Sequence, residues 1–436
     1  MNKFITKSLL ITLLFLFIYN PPVRFFPMNS GIIIGGVFFI CYFIGFLLQI
    51  DLGKQVPIKK HLLQVIGLVG LTAAYSFLVP IVTGSNDIQV FKSYVSFLLF
   101  YLPGAFGIMR LLKKYYDAKG VIELLVSITV IQAVIILAMF TIPVVKDFIF
   151  SLMRDGGIRA EQNLFSGGFR FLGFAFGATW DLSIVQSLGI ICIALLVRID
   201  EGQINFRNTL YFLLLCCSVF LSGRTGILGI IMGIVVLIFP IKRNKLPFAD
   251  LVKFSFLLLL LIIPLYFVVI NFISPQVVDI VQNSVVPWAF EMFQNDSGGL
   301  LETRSSNELK TMYFWPSFWT SLFGDGYYNN PGDPTMYYMN TDAGYMRHLL
   351  FYGITGCIMQ AGIYLLLFYQ MFKFSSVLHP SFMVKAFLFL ILVYFFVSHL
   401  KGDLFIGADM PIKFVFFLYT LFISFHSSTE DAVPDK

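Results

Sequence analysis

Long apolar runs separated by short polar joints organise the chain from end to end. A helix rises 1.5 Å per residue, so about 20 apolar residues cross a hydrocarbon layer ~30 Å thick. Runs of this kind recur at roughly 5–20, 31–50, 62–82, 90–110, 121–143, 179–198, 207–222, 225–241, 251–273, 343–371, 383–399 and 409–426. The first, seventh and eighth are short for a full crossing. The pattern predicts an all-α polytopic membrane protein with about 12 transmembrane helices in a single multi-span domain over 1–436.

Two joints are longer than a connection requires, 144–179 and 274–342. Loops of that length are functional or disordered as a rule. The second holds Trp288, Phe290, Phe293, Tyr313, Phe314, Trp315, Phe318, Trp319, Tyr327, Tyr328, Tyr337 and Tyr338, an aromatic content that argues against disorder. It is predicted to fold as amphipathic helices on the membrane surface or over a cavity.

Composition agrees with the run pattern. Only 12% of residues are charged, against roughly 25% in soluble domains, and the mean hydropathy is +0.84. That leaves too little polar surface for a water-facing globule. Lys3 and Lys7 ahead of an apolar stretch have the look of a signal peptide, but Pro21, Pro22 and Arg24 follow instead of a small-residue cleavage site. The segment reads as an uncleaved first span. All five cysteines fall inside apolar runs and read as small hydrophobes, not as disulfide or zinc ligands.

The net charge of +6 matters through its distribution, not as a sign of nucleic-acid binding. With the N-terminus inside, inner segments hold 18 of the 30 basic residues and 9 of the 24 acidic ones. The positive-inside rule then places both termini in the cytoplasm and both long loops outside.

Seven arginines fall on outer segments: Arg24, Arg154, Arg159, Arg170, Arg224, Arg304 and Arg347. Arg170, Arg224 and Arg347 adjoin or enter apolar runs. An ionised group at membrane depth costs ~2.5–3.5 kcal/mol even on the mildest scale, so each either snorkels to the interface, pairs with a carboxylate or serves function. A guanidinium stays charged and presents a rigid fork of donors that matches phosphate oxygens. A site for a lipid-linked pyrophosphate would need such groups. The loop aromatics could pack against sugar faces or form an interfacial belt. Among outward carboxylates, Asp342 stands at the mouth of a span five residues before Arg347, placed either as a general base or as a helix N-cap. His61, His348, His379, His399 and His426 are scattered without ligand-pair spacing, and only His348 is set apart, by its neighbour Arg347. Phosphate-loop, dinucleotide, zinc-protease and serine-hydrolase motifs are missing from the sequence.

Three stretches together resemble the O-antigen polymerase and ligase superfamily of bacterial envelope glycan enzymes. Leu221-Ser222-Gly223-Arg224-Thr225-Gly226 is similar to that family's S-x-R-[TS]-[GA] segment. Arg304 followed by Ser321-Leu322-Phe323-Gly324-Asp325-Gly326 resembles its R…W…P-L-x-G-x-G pattern, without the proline. Asp342-Ala343-Gly344-Tyr345-Met346-Arg347-His348, continuing to Gly353-Ile354-Thr355-Gly356, resembles its D-x-x-Y-L…G-I-x-G segment. Arg170-Phe171-Leu172-Gly173 is a weaker fourth match. The resemblance covers roughly 165–360.

It implies a many-span, GT-C-like, metal-independent glycosyltransferase without cofactor in the bacterial cytoplasmic (inner) membrane. The substrate it implies is an undecaprenyl-pyrophosphate-linked oligosaccharide at the outer face, and the partner a chain-length regulator. Carried over by motif, Arg170, Arg224, Arg304 and Arg347 would bind pyrophosphate and sugar beside Tyr345 and His348. Arg224, Arg304 and Asp342 would carry the chemistry. Thr341-Asp342 stands where ligases carry His-Asn, which favours a repeat-unit polymerase of O-antigen or exopolysaccharide over a ligase acting on lipid A core. A transporter or flippase of lipid-linked sugars would instead call for charged or broken helices at the midplane and two related halves, neither of which the sequence displays.

Overall fold

The computed structural model describes residues 3–51, 60–154, 172–200, 204–238, 283, 304–333 and 335–430. Among these it is all-helical without a strand. Its helices are α1 (Lys3–Tyr19), α2 (Ser30–Asp51), α3 (Lys60–Thr83), α4 (Gln89–Leu112), α5 (Ala118–Thr141), α6 (Pro143–Leu152), α7 (Thr179–Ile199), α8 (Phe206–Ser222), α9 (Thr225–Ile238), α10 (Arg304–Met312), α11 (Phe318–Phe323), α12 (Gly344–Lys373), α13 (Ser381–His399) and α14 (Asp409–Glu430).

Eight of them are long and apolar enough to cross a membrane, and Ile5–Tyr19, α8 and α9 are shorter apolar helices. These eleven fall on eleven of the twelve runs, and the three shorter ones on the runs that were short in the sequence. The run at 251–273 lies outside the described residues, as do Arg159 and Arg170.

Local chemistry sets several boundaries. Asp117 opens α5 by accepting the Gly120 amide at 2.8 Å, and Asn205 opens α8 by accepting that of Asn208 at 2.8 Å. Each satisfies a donor that the first helical turn leaves unpaired. Asp181, in the first turn of α7, reaches back to the Ala178 amide at 3.2 Å.

α7 is the axis of the bundle. It is buried along nearly its whole length and packs on α5, α8, α9, α13 and α14. α9 approaches it along small residues: a Cβ on Gly226 would meet Ser183, one on Gly229 Ser187 and one on Gly233 Ile190. Such stripes let helix backbones close in where water provides no hydrophobic drive. Ser187 and Tyr394 then join α7 to α13 through hydroxyls 2.6 Å apart.

α2 is the opposite case. It is scarcely buried and exposes Val37, Ile40, Phe43, Ile44, Leu47 and Leu48. Such a face is stable against lipid, not against water.

Packing fixes which ends lie together. The C-termini of α1, α3, α8 and α13 share one end with the N-termini of α2, α4, α7, α9, α12 and α14. At the other end Lys113 binds the Ser424 carbonyl at 2.6 Å and Lys7 lies over the Tyr116 ring.

Candidate functional site

α12 is not a continuous span. Tyr352 (φ −133°, ψ 16°) and Gly353 (φ 67°, ψ −172°) interrupt it, a break that the sequence does not display. The side chains of His348 and Gln360 approach to 3.4 Å, although twelve residues of unbroken helix would separate them by about 18 Å. The leading segment therefore folds back on the trailing one. The backbone groups freed by the break find partners in the segment after α11. Asp325 N–H donates to the Leu350 carbonyl at 2.7 Å and Gly326 N–H to that of Phe351 at 2.9 Å. Asp87, after α3, accepts the amides of Tyr328 and Asn329 at 2.9 and 3.1 Å, and Ser85 donates to the Gly326 carbonyl at 2.5 Å. The stretches matched by the second and third motifs of the resemblance are thus one structural unit.

That unit roofs Arg347. The chain doubles back between Tyr328 and Tyr338, bridged at Asn329 and Tyr337. Arg347 lies between two of its rings, 3.8 Å from the Tyr328 centroid and 3.7 Å from that of Tyr337. With both faces of the guanidinium covered, hydrogen bonding is left to its edge. Arg347 is buried and its Nε has no hydrogen-bond partner.

Beneath Arg347 runs a buried polar chain. The Tyr328 hydroxyl donates to Asp403, in the α13–α14 loop. The other carboxylate oxygen of Asp403 faces His348 Nε2 at 2.7 Å and accepts the Ile406 amide at 3.2 Å. His348 Nδ1 is 2.8 Å from the Tyr352 hydroxyl, which meets that of Tyr94 at 3.4 Å. Burial works against the charge on Asp403, but His348, His399 and Arg347 outweigh it and hold the carboxyl below the usual range. An ionised Asp403 only accepts, so Nε2 of His348 carries a proton.

His348, His399 and Asp403 offer ligand atoms within 4.8 Å of one another, so these histidines are not scattered as the sequence suggested. They nevertheless fit a divalent cation poorly. His399 Nδ1 accepts the Leu404 amide at 3.0 Å, while His348 Nε2 and both oxygens of Asp403 are engaged as described. Arg347 adds a positive charge beside them. A metal would have to break this set of hydrogen bonds.

Asp342 precedes α12 but does not cap it: the N-cap position is Ala343, with no side-chain cap. Its carboxyl is half-buried. Burial pushes it up to about 6, with Arg347 and Lys401 pulling the other way. Asp181, Asp342, Asp403 and Asp409 are close enough to interact electrostatically. Asp409 accepts from Tyr101 and Asn20 and lies 3.8 Å from the fully buried Lys413.

Of the other expected residues, Arg224 and Tyr345 lie at this end. Arg224 sits in the α8–α9 turn, where a Cβ on the preceding Gly223 would meet Trp180 and Ser183. Trp180 also packs on Gly402, beside Asp403. Tyr345 donates its hydroxyl to the Phe396 carbonyl at 3.0 Å and sets its ring edge-on against His399. Arg304 begins α10; its side chain, like Arg170, lies outside the description. Arg154 is a tie, bonding to the Pro27 carbonyl at 2.7 Å and to Asn29. The sequence places Tyr328 among the loop aromatics and Asp403 among the outward carboxylates without setting either apart, and Tyr352 carries no signal. The one local signal was the four-residue spacing of His399 and Asp403 across the end of a span.

A scan against protein-family models finds no match, and neither the curated proteins nor the solved structures yield one.

Proposed function

We propose that the chain is a membrane glycosyltransferase that joins polyprenyl-pyrophosphate-linked oligosaccharide repeats into a polysaccharide at the outer face of the bacterial cytoplasmic membrane. The observation that carries this reading is the setting of Arg347. A buried guanidinium restricted to edge-on hydrogen bonding matches the oxygens of a diphosphate, and Asp342 stands at the mouth of the same helix. In the proposed step, a hydroxyl of the incoming repeat attacks the anomeric carbon of the growing chain. The bond from that carbon to the phosphate oxygen breaks, polyprenyl pyrophosphate leaves with the electron pair, and the hydroxyl proton passes to the Asp342 carboxylate. Arg347 offsets the charge developing on the leaving group.

The test is reconstitution with a defined lipid-linked repeat and no imposed gradient, with products read by mass. Chains of two or more repeats support the reading; a repeat left unchanged overturns it.

The break in α12 favours a second reading, a carrier of the same lipid-linked sugars, because interrupted helices build substrate sites in transporters. In the same vesicles a carrier would move the repeat between leaflets without lengthening it.

A further inference from the structure

The rings that hold Arg347 are themselves held, and unequally. Tyr337 belongs only to the returning part of the roof. Tyr328 is tied twice to the body of the protein, by its amide to Asp87 at 2.9 Å and by its hydroxyl to Asp403. Asp403 is in turn fixed by Ile406 and by His348, whose second nitrogen meets Tyr352 at the break in α12. Every member of this chain is buried: Asp403 is 2% exposed, His348 1% and Tyr352 0%. No reacting atom is presented by His348 or Asp403. Their hydrogen-bonding capacity is directed inward, and what they support is the ring beneath the guanidinium.

We infer that Asp403 is a positioning residue that acts through Tyr328 to aim the hydrogen-bonding edge of Arg347, with His348 and Tyr352 fixing Asp403 in its turn. A tyrosine ring free to swing would uncover one face of the guanidinium, and the arginine would lose both a cation–π contact and its orientation. The Tyr328 hydroxyl removes that freedom because its partner is a buried carboxylate set by two further donors, His348 Nε2 and the Ile406 amide. Asp403 also lies within electrostatic reach of Arg347, so its charge offsets part of the cost of keeping the cation out of water. As an account of substrate binding the inference rests on the diphosphate reading above. As an account of how Arg347 is held it does not.

The experiment therefore has two arms on the full-length protein in nanodiscs. In the first, without ligand, phenylglyoxal modification of Arg347 is followed by mass spectrometry in the wild type, Tyr328→Phe, Asp403→Asn and the double variant. Tyr328→Phe should raise the rate about tenfold, the worth of one cation–π face, Asp403→Asn at least as much, and the double variant should match Asp403→Asn because the Tyr328 hydroxyl acts only through that carboxylate. Unchanged rates, or effects that multiply, overturn the inference. Tyr328→Phe removes one oxygen only and keeps the arm decisive should Asp403→Asn not fold.

In the second arm, calorimetry measures binding of farnesyl diphosphate against farnesyl monophosphate. Tyr328→Phe should weaken the diphosphate about tenfold, again by one ring contact, and His348→Gln should weaken it in the same direction. If the wild type binds neither probe, the functional reading fails while the first arm still decides the positioning role. If the wild type binds the diphosphate and Tyr328→Phe binds it equally well, the positioning role is overturned.

Discussion

Gly353 and Leu322 meet so closely that a Cβ on the glycine would run into the leucine's carbonyl oxygen. Gly324 stands in the same relation to the Phe351 carbonyl. Two glycines at positive φ, 67° and 79°, thus let the segment after α11 lie across the gap in α12. Both demands, space and left-handed backbone, exclude other residues. Gly353→Ala should destabilise the protein by about 1–3 kcal/mol from backbone strain alone, seen as a lower melting temperature in detergent. Gly45→Ala is the control: it lies inside α2 with nothing within 4 Å of a Cβ at that position, and its melting temperature should not fall, since alanine is the better helix former.

Arg347→Lys keeps the charge and loses the planar fork. If the edge of Arg347 holds a diphosphate through the transition state, polymer formation should fall by about 10²–10³-fold, the cost of one preorganised donor. Polysaccharide ladders at equal expression check this; a wild-type ladder from the lysine variant would exclude the bidentate role.

Asp342 gives a pH dependence with a definite sign. Its carboxyl is pushed up to about 6 by burial, so if Asp342 is the base of the proposed reaction, its active carboxylate forms as pH rises through that value. The rate should climb through about pH 6, and Asp342→Asn should remove the climb along with most of the activity. The stability effect runs the other way. Between the ordinary aspartate value of about 4 and about 6, the folded protein keeps a proton that the unfolded chain has released. Asp342 should therefore make the fold less stable as pH rises across that window, and the asparagine variant should lose that part of the slope in denaturation curves.

Ser187 and Tyr394 offer a measure of helix association. Their hydroxyls are 2.6 Å apart and buried. A double cycle of Ser187→Ala and Tyr394→Phe should return about 0.6 kcal/mol, the mean for such bonds inside membrane proteins. A coupling near zero would mean that the glycine stripe of α9 and the apolar packing of α7 hold this region without it.

The spans were legible in the sequence because hydropathy over 20 residues is a summed property, insensitive to any one position. The site was not, for the complementary reason. His348 and Asp403 are 55 residues apart and meet only through the folding of α12 against the α13–α14 loop. The break itself is invisible to hydropathy, since Tyr352 and Gly353 interrupt the helix without interrupting the apolar run. Arg347 was legible as a charge at the start of a span; its two tyrosine partners were not separable from the eleven other aromatics of the long loop. Asp342 was read as base or cap, and the backbone at Ala343 removes the cap.

α8 runs from an Asn205 cap to Gly223 in 17 residues, roughly 25 Å of helix at 1.5 Å per residue. That is shorter than a typical hydrocarbon layer of about 30 Å, and were α8 to cross one, thinning of the bilayer against it is one way the mismatch would be met. The lipid surface beside Arg224 would then dip. A diphosphate headgroup diffusing in that leaflet would be carried down to the level of the α8–α9 turn by the shape of the membrane, still seated among its neighbouring lipids.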